Sequence, residues 1–354
     1  MKILITGGAG FVGSSLAIHF KNKYPKSRVV AFDNLKRRGS EINLSLFREL
    51  GVEFIHGDIR NPSDLESLSE AWDIFVECSA EPSVLAGINS SPKYVLETNL
   101  LGTINCLELA RKHCGLFLFL STSRVYSIAP LRELSLLENP TRFDLAKSQT
   151  VSGVTPLGIS EKFPTDSSRS LYGTSKLSSE YLIQDYASTY GLNALINRCG
   201  VIAGPGQYGK VDQGVYTLWV ARHFFKQTLN YTGFGGKGKQ VRDLLHIEDL
   251  IALIDKQLES KHKHLGESYN VGGGIECSTS LLELTHLCQE ATGNAIAIGS
   301  EKDSAPVDIP WYVTDYSKVK AAFDWAPKKT IKNLVLDIRN WLSRNESLLK
   351  NSFV

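Results

Sequence analysis

The sequence predicts an α/β fold: a doubly wound parallel sheet followed by a smaller mixed α/β C-terminal lobe. Three observations predict it: strand and helix patterns alternate through residues 2–120, a glycine-rich turn joins the first strand to the first helix, and the alternation stops after Tyr126. Residues 2–6 are a short apolar run suited to a buried strand, and 11–24 a helix with Val12, Leu16 and Phe20 at helical spacing. Residues 28–32 give the second strand, 41–50 a helix and 52–55 the third strand. A helix opens at Pro62, whose fixed φ suits a first turn, and 73–76 form the fourth strand. A long helix over 92–113 precedes 116–120, apolar throughout as a central parallel strand requires. Residues 127–169 hold prolines, mixed polar residues and no sustained period, so a long functional loop is expected there before a helix starts near Leu171. Mixed patterns with glycine clusters then run to the C-terminus. The expected division is 1–200 and 201–354, with part of 241–262 packing back on the first domain.

The chain has 354 residues, of which 39 are basic and 37 acidic, a formal +2 with no long run of one sign. Nucleic acid and membrane surfaces are therefore not expected partners. Hydrophobic residues at 42% and charged residues at 21% describe a soluble globular protein, and no apolar run approaches the ~18 residues of a membrane span. The first residues pass from Ile3, Leu4 and Ile5 straight into glycines, unlike a signal peptide, so the expected location is cytoplasmic. The six cysteines are scattered, with no CxxC spacing, and read as reduced thiols; no metal site is expected.

Thr6-Gly7-Gly8-Ala9-Gly10-Phe11-Val12-Gly13 lies between the first strand and first helix, where glycines let backbone approach a pyrophosphate at a helix N-terminus. Asp33 ends the second strand 20 residues after Gly13, where a carboxylate accepts hydrogen bonds from an adenosine ribose and rejects a 2′-phosphate. Strand, glycines, helix and acid together indicate a Rossmann domain for NAD. Lys36, Arg37 and Arg38 leave an opening for NADP. Asp58 and Ile59, past the third strand, are candidates to fence the adenine; a turn or helix-cap aspartate is the other reading of Asp58.

Tyr172 and Lys176 stand at i and i+4, on one face of the helix that begins there. A nearby ammonium, an oxidised nicotinamide and a helix N-terminus all favour the phenolate, which makes a tyrosine of ordinary pKa ~10 a usable base. Ser121-Thr122-Ser123 follows the apolar strand, at the carboxyl end where open α/β sheets bind ligands. A hydroxyl there is suited to bonding a reacting oxygen, although strand-end turn chemistry explains it equally well.

Together these residues resemble the extended short-chain dehydrogenase/reductase superfamily, whose marks are TGxxGxxG, an acid after the second strand, a Ser/Thr three residues before Val-Tyr, and YxxxK. They stand here as Thr6 to Gly13, Asp33, Thr122 before Val125-Tyr126, and Tyr172 to Lys176. The resemblance spans essentially the whole chain. It implies NAD contacts from Gly7, Gly10, Phe11, Val12, Asp33, Asn34, Asp58, Ile59, Ala80 and Asn99, as well as Thr122, Tyr172 and Lys176. The stretches Asn197 to Pro205, Asp212-Gln213-Gly214 and Gly238 to Asp243 make the chain look like the CDP-paratose (CDP-tyvelose) 2-epimerases among nucleotide-sugar enzymes. That likeness implies tightly held NAD, a nucleotide-diphosphate sugar in the second lobe, inversion at C2 through a 2-keto intermediate, and a homodimer built from helices such as those near Pro92 and Tyr172.

Carried onto this chain, the resemblance makes Tyr172 the acceptor of the sugar hydroxyl's proton, with Lys176 holding the nicotinamide ribose and Thr122 positioning the oxygen. Ser83, Thr122, Tyr172, Gln213 and Arg242 would meet the substrate. Arg242 is the candidate for the diphosphate, since a guanidinium offers forked donors; an ion pair with Asp243 or a neighbour is the other reading. Two positions depart from the family pattern. An arginine usual ten residues before Asp315 is Ala305 here, so diphosphate binding leans on Arg242 and lysines such as Lys210 or Lys239. Where relatives often have histidine, Glu77 opens Glu77-Cys78-Ser79-Ala80, and Glu81 beyond it is either a specificity residue or a solvated loop glutamate. A 4,6-dehydratase needs an acid pair after Thr122, where Ser123-Arg124 stand; 4-epimerisation uses the same groups as 2-epimerisation and stays open. Cofactor-sensing regulators of this superfamily tend to lose YxxxK, which this chain keeps.

Overall fold

The computed structural model describes residues 1–88, 90–209, 213–260 and 262–349. It divides into two compact units, the first made of 1–125, 170–198 and 259–269, the second of 126–169, 199–258 and the chain from 270 onward. The first unit carries a seven-stranded sheet, apart from the last residues of its final two strands: β1 (Lys2–Thr6), β2 (Arg28–Asp33), β3 (Glu53–His56), β4 (Trp72–Glu77), β5 (Cys114–Thr122), β6 (Ala194–Cys199) and β7 (Leu265–Val271). Their order is β7-β6-β5-β4-β1-β2-β3, with β1 pairing in parallel with both β2 and β4. Strand order therefore reverses beside β1, which creates a crevice at the carboxyl ends of β1 and β4. The apolar runs read as covered strands are covered: Ile3, Leu4, Ile5, Phe75, Phe117 and Phe119 are fully buried.

Helix Phe11–Lys23 follows β1 as expected, and helix Leu171–Tyr190 starts at Ser170, whose hydroxyl accepts from Gly173 N at 3.1 Å. The helix expected over 92–113 is not uniform. Lys93–Leu96 and Gly102–His113 are α-helical, but Glu97–Leu101 between them is π-helical, a local widening common at functional sites. Close packing accompanies it, since a Cβ on Gly102 would stand 2.4 Å from Ile59 Cδ1.

In the second unit, Val241–His246 pairs in parallel with Val201–Ala203 and Trp311–Tyr312 and antiparallel with Ser278–Ser280. Helices Val215–Phe224, Leu281–Thr292 and Ile331–Arg344 enclose a core that includes Trp219, Leu284, Val335 and Ile338. Both of the last two helices start with capping boxes.

The units do not follow a single cut near residue 200. Residues 127–169, expected as a loop of the first domain, belong to the second unit and hold a helix, Ile128–Arg132, and two small ladders, Leu136–Glu138 with Phe143–Leu145 and Val154–Thr155 with Gly158–Ile159. Distant polar partners fix them: Tyr126 Oη donates to Asn270 Oδ1 at 2.7 Å, Phe143 N to Lys239 O at 3.0 Å and Ile159 N to Val313 O at 2.8 Å. The segment returning to the first unit is 259–269, which meets the expected range 241–262 only at 259–262, because β7 extends the sheet edge, with Ala194 N donating to His264 O at 3.1 Å. The second unit, expected to be smaller, takes the larger share of the chain. All six cysteines are free thiols, and burial pushes Cys106, Cys114, Cys277 and Cys288 upward, away from thiolate chemistry. No helix among the described residues is long and apolar enough to cross a membrane.

Candidate active site

At the crevice Gly7 adopts φ +62°, and a Cβ there would stand 2.8 Å from the Cys78 carbonyl carbon and from Ser79 N, so two strand-end loops cross with room for backbone alone. A Cβ on Gly13 would lie 2.2 Å from Gly7 O, which holds the first helix against the turn. Gly10 is the N-cap of that helix, without a capping side chain, and the first turn, which Phe11 and Val12 open, holds no acid. The positive end of the helix is thus left for an anionic group. Asp33 Oδ2 accepts from Ala9 N at 3.1 Å and Oδ1 from Leu35 N at 2.8 Å, tying β2 to the glycine turn. Burial pushes the Asp33 carboxyl up, against amides of Leu35, Ala9 and Gly10. A carboxylate has about four lone-pair sites, and the three amides named leave capacity for a ribose hydroxyl. Glycine cradle, uncapped helix end and Asp33 together fit a dinucleotide.

Asn34 Nδ2 donates to Asp58 Oδ2 at 2.9 Å, and Arg60 forks onto the same carboxylate through Nε at 3.0 Å and Nη2 at 2.6 Å. Burial works to raise Asp58, but these bonds outweigh it and hold the carboxyl at about 2. Asp58 Oδ1 also accepts from Arg60 N at 2.9 Å, the local turn geometry weighed as its other reading. Lys36 lies over the Tyr94 ring, 5.4 Å from its centroid, with Arg60 at 4.9 Å. The Ile59 side chain belongs to the core, and its carbonyl accepts from Asn105 Nδ2 at 2.8 Å.

Thr122 closes β5 and is buried; its Oγ1 accepts from Arg124 N at 3.2 Å in the 3-10 turn Ser123–Val125. Helix Leu171–Tyr190 packs on β5 and on this turn, bringing half-buried Tyr172 and buried Lys176 to the same end of the sheet. Lys176 Nζ stands 4.0 Å from the Phe119 ring centroid. Asn99, in the π-helical segment, is fully buried: Oδ1 accepts from Glu81 N at 2.7 Å, and Nδ2 donates to Glu81 O at 3.0 Å and Ser175 Oγ at 3.2 Å. Its carbonyl accepts from Thr103 Oγ1 at 2.8 Å and Ser179 Oγ at 2.9 Å. Asn99 thereby pins the loop after β4 to the helix of Tyr172. In that loop Ala80 and Glu81 are half-buried, Ser83 Oγ accepts from Leu85 N at 3.2 Å, and Glu81 Oε1 accepts from Ser83 N at 3.2 Å, which makes the Glu81 carboxylate part of the turn.

Sequence reasoning missed a buried pair that frames this end of the sheet. Arg198 of β6 forks onto Glu180, Nη2 to Oε2 at 2.6 Å and Nε to Oε2 at 2.9 Å, and the Ser121 hydroxyl donates to Glu180 Oε1. Glu180 stands four residues after Lys176, a spacing visible in sequence, but its partner is set by the fold.

In the second unit Arg242 is buried. Nη2 donates to Asp308 Oδ1 at 3.1 Å and Ile309 O at 2.7 Å, and Nη1 to Val241 O at 2.7 Å, so its ion-pair partner is Asp308 and not Asp243. Arg132, also missed, is exposed and donates to Ala305 O and Asp308 O, both at 2.8 Å. Two guanidinium groups thus meet the segment where the expected arginine is replaced by Ala305. Lys239 pairs with Glu138 at 2.9 Å, and Gln213 is half-buried before helix Val215–Phe224; Lys210 and Asp212 lie outside the described residues.

Residues 3–272 match the family described as NAD dependent epimerase/dehydratase. The chain is 34% identical to a CDP-paratose 2-epimerase from Salmonella typhi, across 97% of this chain and 99% of that protein. It is 28% identical to a dTDP-glucose 4,6-dehydratase from Salmonella typhimurium, covering 99% of this chain and 95% of the other. Among solved structures, a dTDP-glucose 4,6-dehydratase from Bacillus anthracis in complex with NAD superposes with a TM-score of 0.75 at 26% identity, covering 99% of both chains.

Proposed function

Because the chain belongs to the NAD dependent epimerase/dehydratase family, we propose that it inverts C2 of the hexose in a CDP-sugar, by transient oxidation to a keto sugar and hydride return to the opposite face. The chain is an NAD-dependent enzyme with the extended short-chain dehydrogenase/reductase fold. Gly7, Gly10, Phe11 and Val12 would hold the pyrophosphate and Asp33 the adenosine ribose, with Asn34, Asp58, Ile59, Ala80 and Asn99 along the cofactor. When bound, NAD supplies a hydride acceptor and donor. Tyr172 takes the proton of the reacting hydroxyl and later returns it, Thr122 bonds the reacting oxygen, and the Lys176 ammonium favours the phenolate. On the substrate side, Ser83 and Gln213 are assigned to the sugar nucleotide, and Arg242 to its diphosphate, exchanging Asp308 for phosphate oxygens.

The observation that carries epimerisation over dehydration is local. Thr122 is followed by Ser123 and Arg124, so the carboxyl pair that elimination needs is not beside the reacting oxygen. Inversion at C2 of a CDP-sugar is supported by the 34% identity to the CDP-paratose 2-epimerase. A homodimer is part of the same reading, supported by exposed Leu101 and Tyr181 on the helical segments at Glu97–Leu101 and Leu171–Tyr190. Incubation with CDP-, UDP-, GDP- and dTDP-hexoses, followed by NMR, tests the substrate: C2 inversion of a CDP-sugar is expected, and C4 inversion or a 4-keto-6-deoxy product overturns it. Deuterium at the inverted carbon stays in the product, whereas washout into solvent overturns hydride return.

A further inference from the structure

We propose that Glu77 is a positioning residue that supplies the buried counter-charge of Lys176 and so sets the pH range in which Lys176 and Tyr172 work; this rests on the catalytic roles given to those two residues above. Strand register puts Thr6, Glu77 and Phe119 side by side across β1, β4 and β5. Register partners in a parallel sheet direct their side chains to the same face. Lys176 Nζ lies 4.0 Å from the Phe119 ring centroid, so the ammonium reaches the face on which Glu77 stands. Glu77 is 0% exposed and Lys176 1%, a layer without solvent to screen either charge. Glu77 Oε2 accepts from Thr103 Oγ1 at 3.1 Å, and Oε1 has no hydrogen-bond partner among the described residues.

The charges facing this pair are few. Helix Gly102–His113 contributes Cys106, a thiol held neutral first by burial and further by Glu77, with Lys176 opposing. Helix Leu171–Tyr190 contributes Lys176 itself, with Tyr172 one turn before it and Glu180 one turn after, already matched by Arg198. Thr6 and Phe119, from the flanking strands, carry no charge. Burial pushes the Glu77 carboxyl up, and Lys176 is the principal force holding it down. A buried charge is costly without a partner, so each of the two stabilises the ionised form of the other.

Removing a negative charge lowers the pH at which a neighbouring ammonium and a neighbouring phenol lose their protons. Glu77→Gln should therefore move both limbs of the pH dependence of turnover to lower pH by about one unit, with NAD still bound. Glu77→Asp, which withdraws the carboxylate by one methylene, should shift both limbs in the same direction by less, and it carries the test if Glu77→Gln does not fold. A purely structural role lowers the melting temperature but leaves the limbs in place, and that result overturns the assignment. A second measurement needs no turnover: NMR titration of protein labelled with carbon-13 at lysine Cε, the Lys176 signal being identified by its loss in Lys176→Met. Lys176 should titrate at lower pH in the Glu77 variant, and an unchanged titration overturns the role of Glu77 even if no nucleotide sugar is turned over. Failure of the sugar panel with a shifted Lys176 overturns the epimerase reading alone.

Discussion

Tyr172 is the residue on which the proposed chemistry turns, because its hydroxyl is the one proton-transferring group assigned to the end of β5. Tyr172→Phe should lower kcat by about 10²–10⁴-fold while NAD still binds, measured by turnover and by cofactor content after gel filtration. Asp243 gives a different test. Burial raises its carboxyl from an ordinary 3.8 to about 6, with the Gly274 amide among the groups opposing the rise. The folded protein thus binds this proton more tightly than the unfolded chain. That contribution is fully present below pH 3.8, fades as pH rises through about 6 and is gone above it. Asp243→Asn lacks the titration, so its stability relative to wild type should rise across that interval by about 2–3 kcal/mol, read from melting temperatures at each pH. Asp33, Tyr172 and Lys176 were legible in the sequence because their spacing is local. Arg242 was legible as a cation, but its partner Asp308 lies 66 residues away and only folding selects it.

Among the elements, helix Leu171–Tyr190 matters most, since it carries Tyr172, Lys176, Ser175 and Glu180. Its start is fixed by the Ser170 hydroxyl and its end by Gly191 at φ 69°. Ser170→Ala should destabilise the protein by about 1 kcal/mol, seen as a lower melting temperature, with cofactor content kept. A helix start near Leu171 was readable in the sequence. The π-helical turn at Glu97–Leu101 was not, because no residue type marks so short a change of pitch; it coincides with the convergence of Glu81, Ser175, Ser179 and Thr103 on Asn99.

For the whole molecule, each unit holds a buried apolar cluster of its own, and the residues proposed to hold the cofactor, with Thr122, Tyr172 and Lys176, all lie in the first. Saturating NAD stabilises by linkage, about 2.7 kcal/mol at a hundredfold excess over Kd. Hydrogen exchange should slow in residues 7–13, 33–35 and 77–81, while helices Leu281–Thr292 and Ile331–Arg344 of the second unit exchange as before. Equal protection of both units would contradict a cradle confined to the first.

By itself the sequence determined the wound sheet, the glycine turn with its acid, and the Tyr-Lys pair, because strand alternation, turn glycines and helical spacing are written within a few residues of one another. Tertiary structure alone decided that residues 127–169 join the second unit and 259–269 the first, that Arg198 answers Glu180, and that Glu77 shares a buried face with Lys176. Those outcomes depend on hydrogen bonds, strand register and exclusion of water between segments distant in the chain, and no local pattern records them.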